Sequence, residues 1–302
     1  MLDPVVLQVR DEIAISPDGT SFTSSCETHT GGSERELKHN LRTYIYRRWH
    51  GDGTRMSPTA GKEDLHDEGI YKRVWDATDQ PIAHREVPCH EGPLCGVVHL
   101  QGVRVRLPLQ EACTPQGVHL IGVPKLRPYI SPGFIYYSHQ PFDEPSIAWR
   151  VYINLKDPAS GAGIWSKLVS DLPAAGAENF HAKIGATDLM IERRDSLVVY
   201  LESWTPELRS VFEVLPELGA LNCDTSAITL RITTGVSLGQ EPKLSPKFRG
   251  MSFGQHRSHV LAEALVHSQG LPEAMAQASI SETLQSSGIN PRMIYLNAEE
   301  SF

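Results

Sequence analysis

Three segments in the middle of the chain alternate apolar and polar residues with a period of two. This pattern predicts β-strands, because successive side chains of a strand point to opposite faces. The segments are AWRVYINL at 148–155, NFHAKI at 179–184 and AITLRIT at 227–233. Each has an apolar row on one side and a polar row on the other. The polar rows are Arg150, Tyr152 and Asn154; Asn179, His181 and Lys183; and Thr229, Arg231 and Thr233. If the three strands are neighbours, their cations share one face of a sheet.

Shorter β-rich runs and helical periodicities surround these strands. VVHLQGVRVRL, GVHLIGV and DSLVVYL predict further strands. Apolar residues at helical spacing predict helices at 33–49, 164–172, 205–215, 252–268 and 271–287. Ser33, Thr205 and Ser252 are the expected N-caps, and Gly288 is the expected C-cap of the last helix. Residues 50–95 predict a loop region with at most one short helix.

The mixture of strands and helices lacks a regular βαβ alternation and therefore predicts an α+β fold. We expect a mostly antiparallel central sheet with one polar basic face, helices on its other face, and a helical C-terminal part. Residues 1–33 are poor in pattern and are expected to form an irregular N-terminal segment. Residues 34–302 are expected to form a single domain.

Composition narrows the function classes. The chain has 302 residues, 40% of them apolar and 21% charged, with a formal net charge of −8, as expected for an ordinary globular protein. The acidic balance argues against nucleic-acid binding. No run approaches the ~18 apolar residues of a membrane span, so no membrane partner is expected. The N-terminus lacks the pattern of a secretory signal, which predicts a cytoplasmic protein.

The cysteines and the common motifs give no sign of a cofactor. Five scattered cysteines do not resemble a disulfide framework. Cys89, His90, Cys95 and His99 lack the paired spacings of a tetrahedral zinc site, so an ordinary loop is the favoured interpretation. Phosphate-binding glycine loops, zinc-protease and hydrolase motifs are absent from the sequence. We expect neither a metal nor another cofactor.

The cations of the polar rows suggest an anion site. Arg150, His181, Lys183 and Arg231 would share the polar face, and Arg193 or Arg194, just before the strand DSLVVYL, could join them. The helix that begins after Ser252 offers free backbone N–H groups, with His256 and Arg257 one turn inside it. The alternatives are an ordinary solvated sheet face and an ordinary surface helix start.

A series of short blocks carries a family resemblance. The blocks are TYIYRRWHGDG, SPGFIYY, WRVYINL, FHAKI, RRDSLVVYL, ITTGVSLGQEP, SFGQHR and INPRMIYLNAEE. Their order and spacing, from about Tyr44 to the C-terminus, resembles the HopA-type effector family. That family contains type III effectors of plant pathogens and the lyase subunits of class V lanthipeptide and thioamitide biosynthesis. Residues 1–33 and about 52–96 have no counterpart in the resemblance.

The resemblance to the lyase subunits implies a role in a split dehydratase. A separate kinase-like phosphotransferase would phosphorylate Ser or Thr in a precursor peptide. This chain would then eliminate phosphate and leave dehydroalanine or dehydrobutyrine. The implied partners are therefore the kinase-like subunit and the phosphorylated precursor peptide, and the reaction requires no cofactor.

Phosphate elimination needs a base for the Cα proton, stabilisation of the carbonyl oxygen and cations for the phosphate. On this hypothesis Lys183 is the base, activated by neighbouring arginine charges, and His181 protonates or orients the leaving phosphate. A histidine is the alternative base. The expected phosphate-binding residues are Arg150, Arg193, Arg194, Arg231 and Arg257. The expected substrate-positioning residues are Tyr136, Tyr152, Asn154 and His256.

Two other functions fit the same residues. The same cationic face could bind a phosphopeptide or a kinase-like partner without turnover, in which case Lys183 would matter less than the arginines. Alternatively, the chain could be a translocated effector that acts on a host protein. A phosphatase has less support, because no cysteine nucleophile loop or paired aspartate motif is present.

Overall fold

The computed structural model describes residues 1–298 with several gaps. The gaps are Cys26, 52–64, 89–96, 101–102, 107–117, Phe142, 144–145 and Leu244, and side chains are not described at 87–88, 97–100, 103–106 and 118–120. No helix in the described part of the chain is long and apolar enough to cross a membrane.

Helices and strands are numbered along the chain. The helices are α1 (Pro4–Glu12), α2 (Glu34–Ile45), α3 (Glu68–Asp76), α4 (Pro158–Ala174), α5 (Asp188–Ile191), α6 (Pro206–Glu213), α7 (Phe253–Ser268) and α8 (Glu273–Ser286). The first seven strands are β1 (Ala14–Ile15), β2 (Ser21–Thr23), β3 (Thr28–Thr30), β4 (Ile82–Pro88), β5 (Val97–Leu100), β6 (Val103–Arg106) and β7 (Val118–Pro124). The others are β8 (Leu126–Ser131), β9 (Phe134–Ser138), β10 (Trp149–Ile153), β11 (His181–Gly185), β12 (Leu197–Leu201), β13 (Leu230–Thr233) and β14 (Val236–Gln240).

The strands β8–β14 form one antiparallel sheet in the order β13-β14-β10-β12-β11-β9-β8. Three small sheets, β1–β3, β4 with β7, and β5 with β6, lie outside it. The predicted α+β class and the antiparallel central sheet are therefore confirmed. The predicted strand at 227–233 is shorter than expected, because the Ser226 carbonyl accepts two hydrogen bonds from Thr229 and closes a turn before β13 begins.

One face of the central sheet is apolar and is covered by helices, as expected. Helix α4 begins at the N-cap Asp157, whose carboxylate accepts hydrogen bonds from the first-turn N–H groups, and Pro158 fixes the first helical residue. Trp165 and Leu168 of this helix lie in the core that includes Val151 of β10. Each such side chain contributes about 1.5–3 kcal/mol by leaving water.

The polar face also carries helices, which the sequence did not predict. Tyr152 of β10 and Val198 of β12 lie in a second core with residues of α2 and α7. Helix α7 has little amphipathic character, and its buried residues include Phe253 and Leu261. A helix that is apolar over most of its circumference is buried between layers. The sheet is thus packed between helices on both sides.

Residues 1–33 do not form the irregular segment that was predicted, because they contain a helix and three short strands. Asp3 caps α1 and Pro4 stands at its first position, while Val6 and Val9 are buried in the second core. The strands β1–β3 follow as a small antiparallel sheet. The helix is too short for its periodicity to stand out, and it is stabilised by packing rather than by propensity.

The predicted helices and their N-caps are confirmed elsewhere. The hydroxyls of Ser33, Thr205 and Ser252 accept hydrogen bonds from backbone N–H groups of α2, α6 and α7. The 50–95 region contains α3, as expected, and also β4, which was not predicted. Helix α8 ends at Ser286, and Gly288 follows in the left-handed conformation.

Candidate functional site

Strand register aligns the polar residues into rows across the sheet. One row runs through Arg231, Ser237, Tyr152, Val198, Lys183, Tyr136 and Arg127. The next row runs through Gly239, Arg150, Tyr200, His181 and Ser138. Arg150, His181, Lys183 and Arg231 therefore share one sheet face, as the alternation in the sequence implies.

We call Tyr136, His181 and Lys183 the β11 patch, since they lie on β11 and on the neighbouring strand β9. The Tyr136 hydroxyl hydrogen-bonds to Nδ1 of His181, and the two rings meet edge to face. Nε2 of His181 is buried without a hydrogen-bond partner. Burial, followed by the charge of Arg127, lowers the pKa of His181 to about 4. The imidazole is thus neutral at pH 7 and has one nitrogen left for a ligand.

Lys183 contacts an aromatic ring, and its charge also interacts with the buried carboxylate of Asp195. Its Nζ lies 4.0 Å from the centroid of the Phe134 ring, within the range of a cation–π contact. It forms no hydrogen bond or ion pair with the residues that the structure describes. Lys183 and His181 are two residues apart on one strand, so their backbones are separated by roughly 7 Å. Lys183 is partly exposed, whereas Nε2 of His181 is buried.

Arg150 is engaged by a carboxylate. Its Nε and Nη2 bind the two carboxylate oxygens of Glu241, with 2.6 Å between Nη2 and Oε1, and its guanidinium lies 4.9 Å from the Tyr200 ring centroid. Burial alone would lower the pKa of Arg150, but Tyr152, Tyr200 and Glu241 raise it above its ordinary value. We call Arg150, Tyr152, Tyr200 and Glu241 the arginine patch.

Two hydroxyls beside this ion pair lack partners. Tyr152 Oη and Ser237 Oγ are buried without hydrogen bonds, and the two residues face each other across β10 and β14. Burial raises the pKa of Tyr152 well above its usual value, so the phenol stays protonated and can donate. A buried hydroxyl without a hydrogen-bond partner lowers stability unless a ligand or a water molecule supplies the missing hydrogen bond.

The arginines before β12 are also paired. Arg193 is buried and binds both carboxylate oxygens of Asp195 at 2.6 and 2.8 Å, and it donates to the Tyr46 hydroxyl at 2.9 Å. Arg194 donates to Asp224 at 2.7 Å and remains partly exposed. Both positions lie near the polar face, but their guanidinium groups already have anionic partners.

Four other predicted residues lie apart from the β11 patch. Arg257 is fully buried and donates to the Ile294 and Leu296 carbonyls and to the Asn297 side chain, so it anchors the C-terminal segment. His256 binds Arg257 through Nδ1, and burial lowers its pKa to about 3.

Asn154 and Arg231 are the other two. Asn154 donates to the backbone and side chain of Asp224. Arg231 is exposed on β13, the last strand at one edge of the sheet. The predicted residues thus fall into three groups: the β11 patch, the residues around the ion-paired arginines, and the residues that lie apart from both.

Sequence reasoning missed several residues near the polar face. A π-helix at Tyr46–Gly51 continues α2 and turns His50 inward, where its ring meets Tyr152 edge to face at 5.0 Å. Burial lowers the pKa of His50 to about 4, and Nδ1 lies 2.8 Å from the Ser226 hydroxyl. The TYIYRRWHGDG block holds both Tyr46 and His50, which was the available signal. Glu241 lies in the ITTGVSLGQEP block, but nothing in the sequence pointed to its pairing with Arg150.

The described residues hold no group of three or more His, Cys, Asp or Glu that could bind a metal. Cys89, His90 and Cys95 lie outside the described residues, as does the side chain of His99. The described polar face instead offers an amine, a neutral imidazole and phenols. These groups can move a proton and donate hydrogen bonds to an anion.

Comparison with known proteins found one matching family and solved structures with a similar fold. The profile of the HopA1 effector protein family matches residues 125–296, which is more than half of the chain. Two solved effector protein structures are similar, one from Pseudomonas syringae pv. tomato strain DC3000 and one from Pseudomonas syringae pv. syringae strain 61. Their TM-scores are 0.52 and 0.50, and each is 15% identical. Both alignments cover 88% of this chain and 96% of the neighbour. No curated protein matches the sequence.

Proposed function

The chain belongs to the HopA1 effector protein family, and on that premise we propose that it is a phosphoserine/phosphothreonine lyase. It would eliminate phosphate from a precursor peptide and leave dehydroalanine or dehydrobutyrine. It would work in the cytoplasm as one subunit of a split dehydratase in lanthipeptide or thioamitide biosynthesis, beside a kinase-like phosphotransferase. The proposal joins the family resemblance to the chemistry of the β11 patch.

One observation carries the proposal: Lys183 and His181 project from one strand onto the same face, and Lys183 contacts an aromatic ring without forming a hydrogen bond or ion pair with the described residues. A neutral Lys183 amine would take the Cα proton of the phosphoamino acid and become an ammonium. The electron pair of that bond would form the Cα–Cβ double bond, and the Cβ–O bond would break. Phosphate would leave with the bonding pair, so the step needs no redox partner.

His181 and the phenols have supporting roles in this scheme. If the Tyr136 hydroxyl donates to Nδ1, then Nε2 of His181 carries the proton and donates to the phosphate. The unpartnered Tyr152 hydroxyl would stabilise the carbonyl oxygen as negative charge develops. Arg150 binds Glu241 with the two-pronged geometry that a phosphate also accepts, so it is the favoured phosphate-binding arginine.

The other predicted phosphate-binding residues differ in how accessible they are. Arg194 and Arg231 remain candidates, since Arg194 is partly exposed and Arg231 is exposed. Arg257 is better explained as a structural group, because it is fully buried and its donors bind carbonyls and Asn297. Arg193 is also structural, because besides Asp195 it binds the Tyr46 hydroxyl, whereas Arg150 would bind a phosphate only in place of Glu241. His256 and Asn154 are likewise engaged by neighbouring side chains.

The test is mass spectrometry of a phosphothreonine peptide incubated with the protein, with and without the presumed kinase-like partner. We expect the peptide to lose one phosphoric acid. Lys183→Met should slow this loss by about 10²–10⁴-fold, the usual contribution of a general base. Lys167→Met is the matched control, because Lys167 lies on α4 and pairs with Asp171 away from the polar face.

Peptide binding separates catalysis from simple recognition. The lyase proposal requires Lys183→Met to bind the phosphopeptide nearly as well as the unaltered protein while failing to eliminate. Normal elimination by Lys183→Met would refute the assigned base. If no elimination occurs in any mixture but binding persists and depends on Arg150, the protein is a binding module.

The binding module is the second candidate because the arginines are arranged in pre-formed ion pairs. Arg150 and Arg194 each hold a carboxylate, as they would hold an acidic or phosphorylated side chain. The family name also supports an effector that acts inside a host cell. A gene neighbourhood with a secretion chaperone, rather than a precursor peptide and kinase gene, would favour the effector.

A further inference from the structure

A cavity lies between α2 and the beginning of α7, in the helical layer that covers the polar face of the sheet. Its volume is about 470 Å³, and its walls include Arg42, Tyr46, Arg249, Met251 and Ser258. This volume falls within the usual range of small-molecule sites and far exceeds that of one phosphate ion. A ligand that fills it has an organic part as well as any charged group.

The walls of the cavity are cationic. Arg42 contacts the His39 ring at 2.9 Å, and neither Arg42 nor Arg249 has a carboxylate partner among the described residues. Another wall residue, His259, lies beside Glu263, whose carboxylate binds Lys247 at 2.8 and 3.1 Å. The nearby carboxylate is thus compensated, whereas the two guanidinium groups are available to an anion.

An unpartnered hydroxyl gives an independent sign of a ligand. Ser258 is 1% exposed, forms part of the cavity wall, and its Oγ has no hydrogen-bond partner. A buried hydroxyl without a partner lowers stability, because it loses its hydrogen bonds to water. The positive end of α7, sixteen residues long, lies one turn away and adds to the attraction for an anion.

Tyr46 and Met251 supply apolar surface to the same cavity. The Tyr46 hydroxyl accepts a hydrogen bond from Arg193, which Asp195 holds through two further bonds, and Met251 lines the same cavity. Burial raises the pKa of Tyr46 to about 12, so its ring carries no charge at neutral pH. The cavity therefore combines two cations and a hydroxyl with an apolar surface.

From this arrangement we propose that the cavity binds an anionic ligand of amino-acid size. Arg42, Arg249 and Ser258 would bind its phosphate or carboxylate group, and Tyr46 and Met251 would contact its apolar part. The ligand is either a free small molecule or one acidic or phosphorylated side chain of a peptide. This site is separate from the β11 patch, and the proposal stands whether or not the protein is a lyase.

The test is isothermal titration of the Lys183→Met protein, so that no elimination consumes the ligand. The probes are O-phospho-L-threonine, inorganic phosphate, N-acetyl-aspartate and an acidic peptide. NMR shifts of the Gly250 amide, which belongs to the cavity wall, locate the binding. We expect Arg249→Gln to weaken binding about tenfold, as for loss of one charge-assisted hydrogen bond. The matched control is Arg292→Gln, an exposed arginine outside the cavity wall, which should change nothing.

Ser258→Ala separates a ligand site from a packing feature. It should weaken binding several-fold and yet raise the melting temperature of the ligand-free protein, because it removes an unpartnered buried hydroxyl. Binding to the free amino acids but not to the peptide identifies a small-molecule site, and the reverse identifies a peptide site. The proposal is overturned if no probe binds, or if binding is unchanged in both Arg249→Gln and Ser258→Ala.

Discussion

The β11 patch and the arginine patch adjoin on the same sheet face, where His181 pairs with Tyr200, but their charges are arranged differently. In the β11 patch, Lys183 contacts an aromatic ring, and His181 is neutral with one unpartnered nitrogen. In the arginine patch, Arg150 is held by Glu241. An unpaired amine can exchange a proton, whereas an ion-paired guanidinium is fixed in charge and position. The β11 patch therefore has groups that can react, whereas the arginine patch has groups that hold and orient a ligand.

The largest effect on stability is expected from Arg257 of α7, whose charge interacts with those of Arg150 and Glu241. Arg257→Met should lower the free energy of unfolding by about 3 kcal/mol or more, because buried carbonyls at the C-terminal segment would lose charged donors. Lys183→Met should change it by less than about 1 kcal/mol. Chemical denaturation of the two variants measures this. Equal losses of unfolding free energy in Arg257→Met and Lys183→Met would contradict the distinction between structural and reactive cations.

Lowering the pH should reduce the free energy of unfolding, and this effect is the next to be expected after that of Arg257→Met. The pKa values of His50 and His181 are about 4 in the folded protein, chiefly through burial, and both histidines titrate near 6.5 when unfolded. Below pH 6.5 the unfolded state binds more protons, so the free energy of unfolding falls as pH decreases towards 4. At pH 5 each histidine should cost about 1–2 kcal/mol. Denaturation at pH 7 and pH 5 checks the sign.

Inorganic phosphate should change the pKa of His181 but not that of His256. An anion bound beside His181 should raise the pKa of its imidazole, while the pKa of His256, enclosed by Arg257 and Phe248, should stay low. NMR titration of the two imidazoles with and without phosphate distinguishes them. A shift at His256 alone would contradict the placement of the anion at the β11 patch.

The smallest effect is expected from Arg231, exposed at the sheet edge. Arg231→Gln should change stability by less than about 0.5 kcal/mol and phosphopeptide affinity by less than about fivefold, as for an exposed charge. Added salt should erase the difference in affinity. A large, salt-insensitive loss of affinity would instead place Arg231 in the core of the phosphate site.

The fold was largely predictable from local patterns. Alternation placed Arg150, His181, Lys183 and Arg231 on one face, and the register confirms this. The helices at Ser33, Thr205 and Ser252 begin where their caps predicted. The candidate site was predictable only in part. The sequence could not show that Glu241 binds Arg150, because the two residues are 91 positions apart.

The sequence by itself determined the α+β class, the polar rows and the family, since strand alternation, helix capping and block order are local properties of the chain. The tertiary structure alone decided which cations have partners. Asp224 and Glu241 reach Arg194 and Arg150 through turns and strand pairing that no local pattern encodes, whereas Asp195 lies only two residues from Arg193. It also placed a second helical layer over the polar face, where burial sets the charge states of His50, His181 and His256. Charge state depends on solvent exposure and neighbouring charges, and both are properties of the packed molecule.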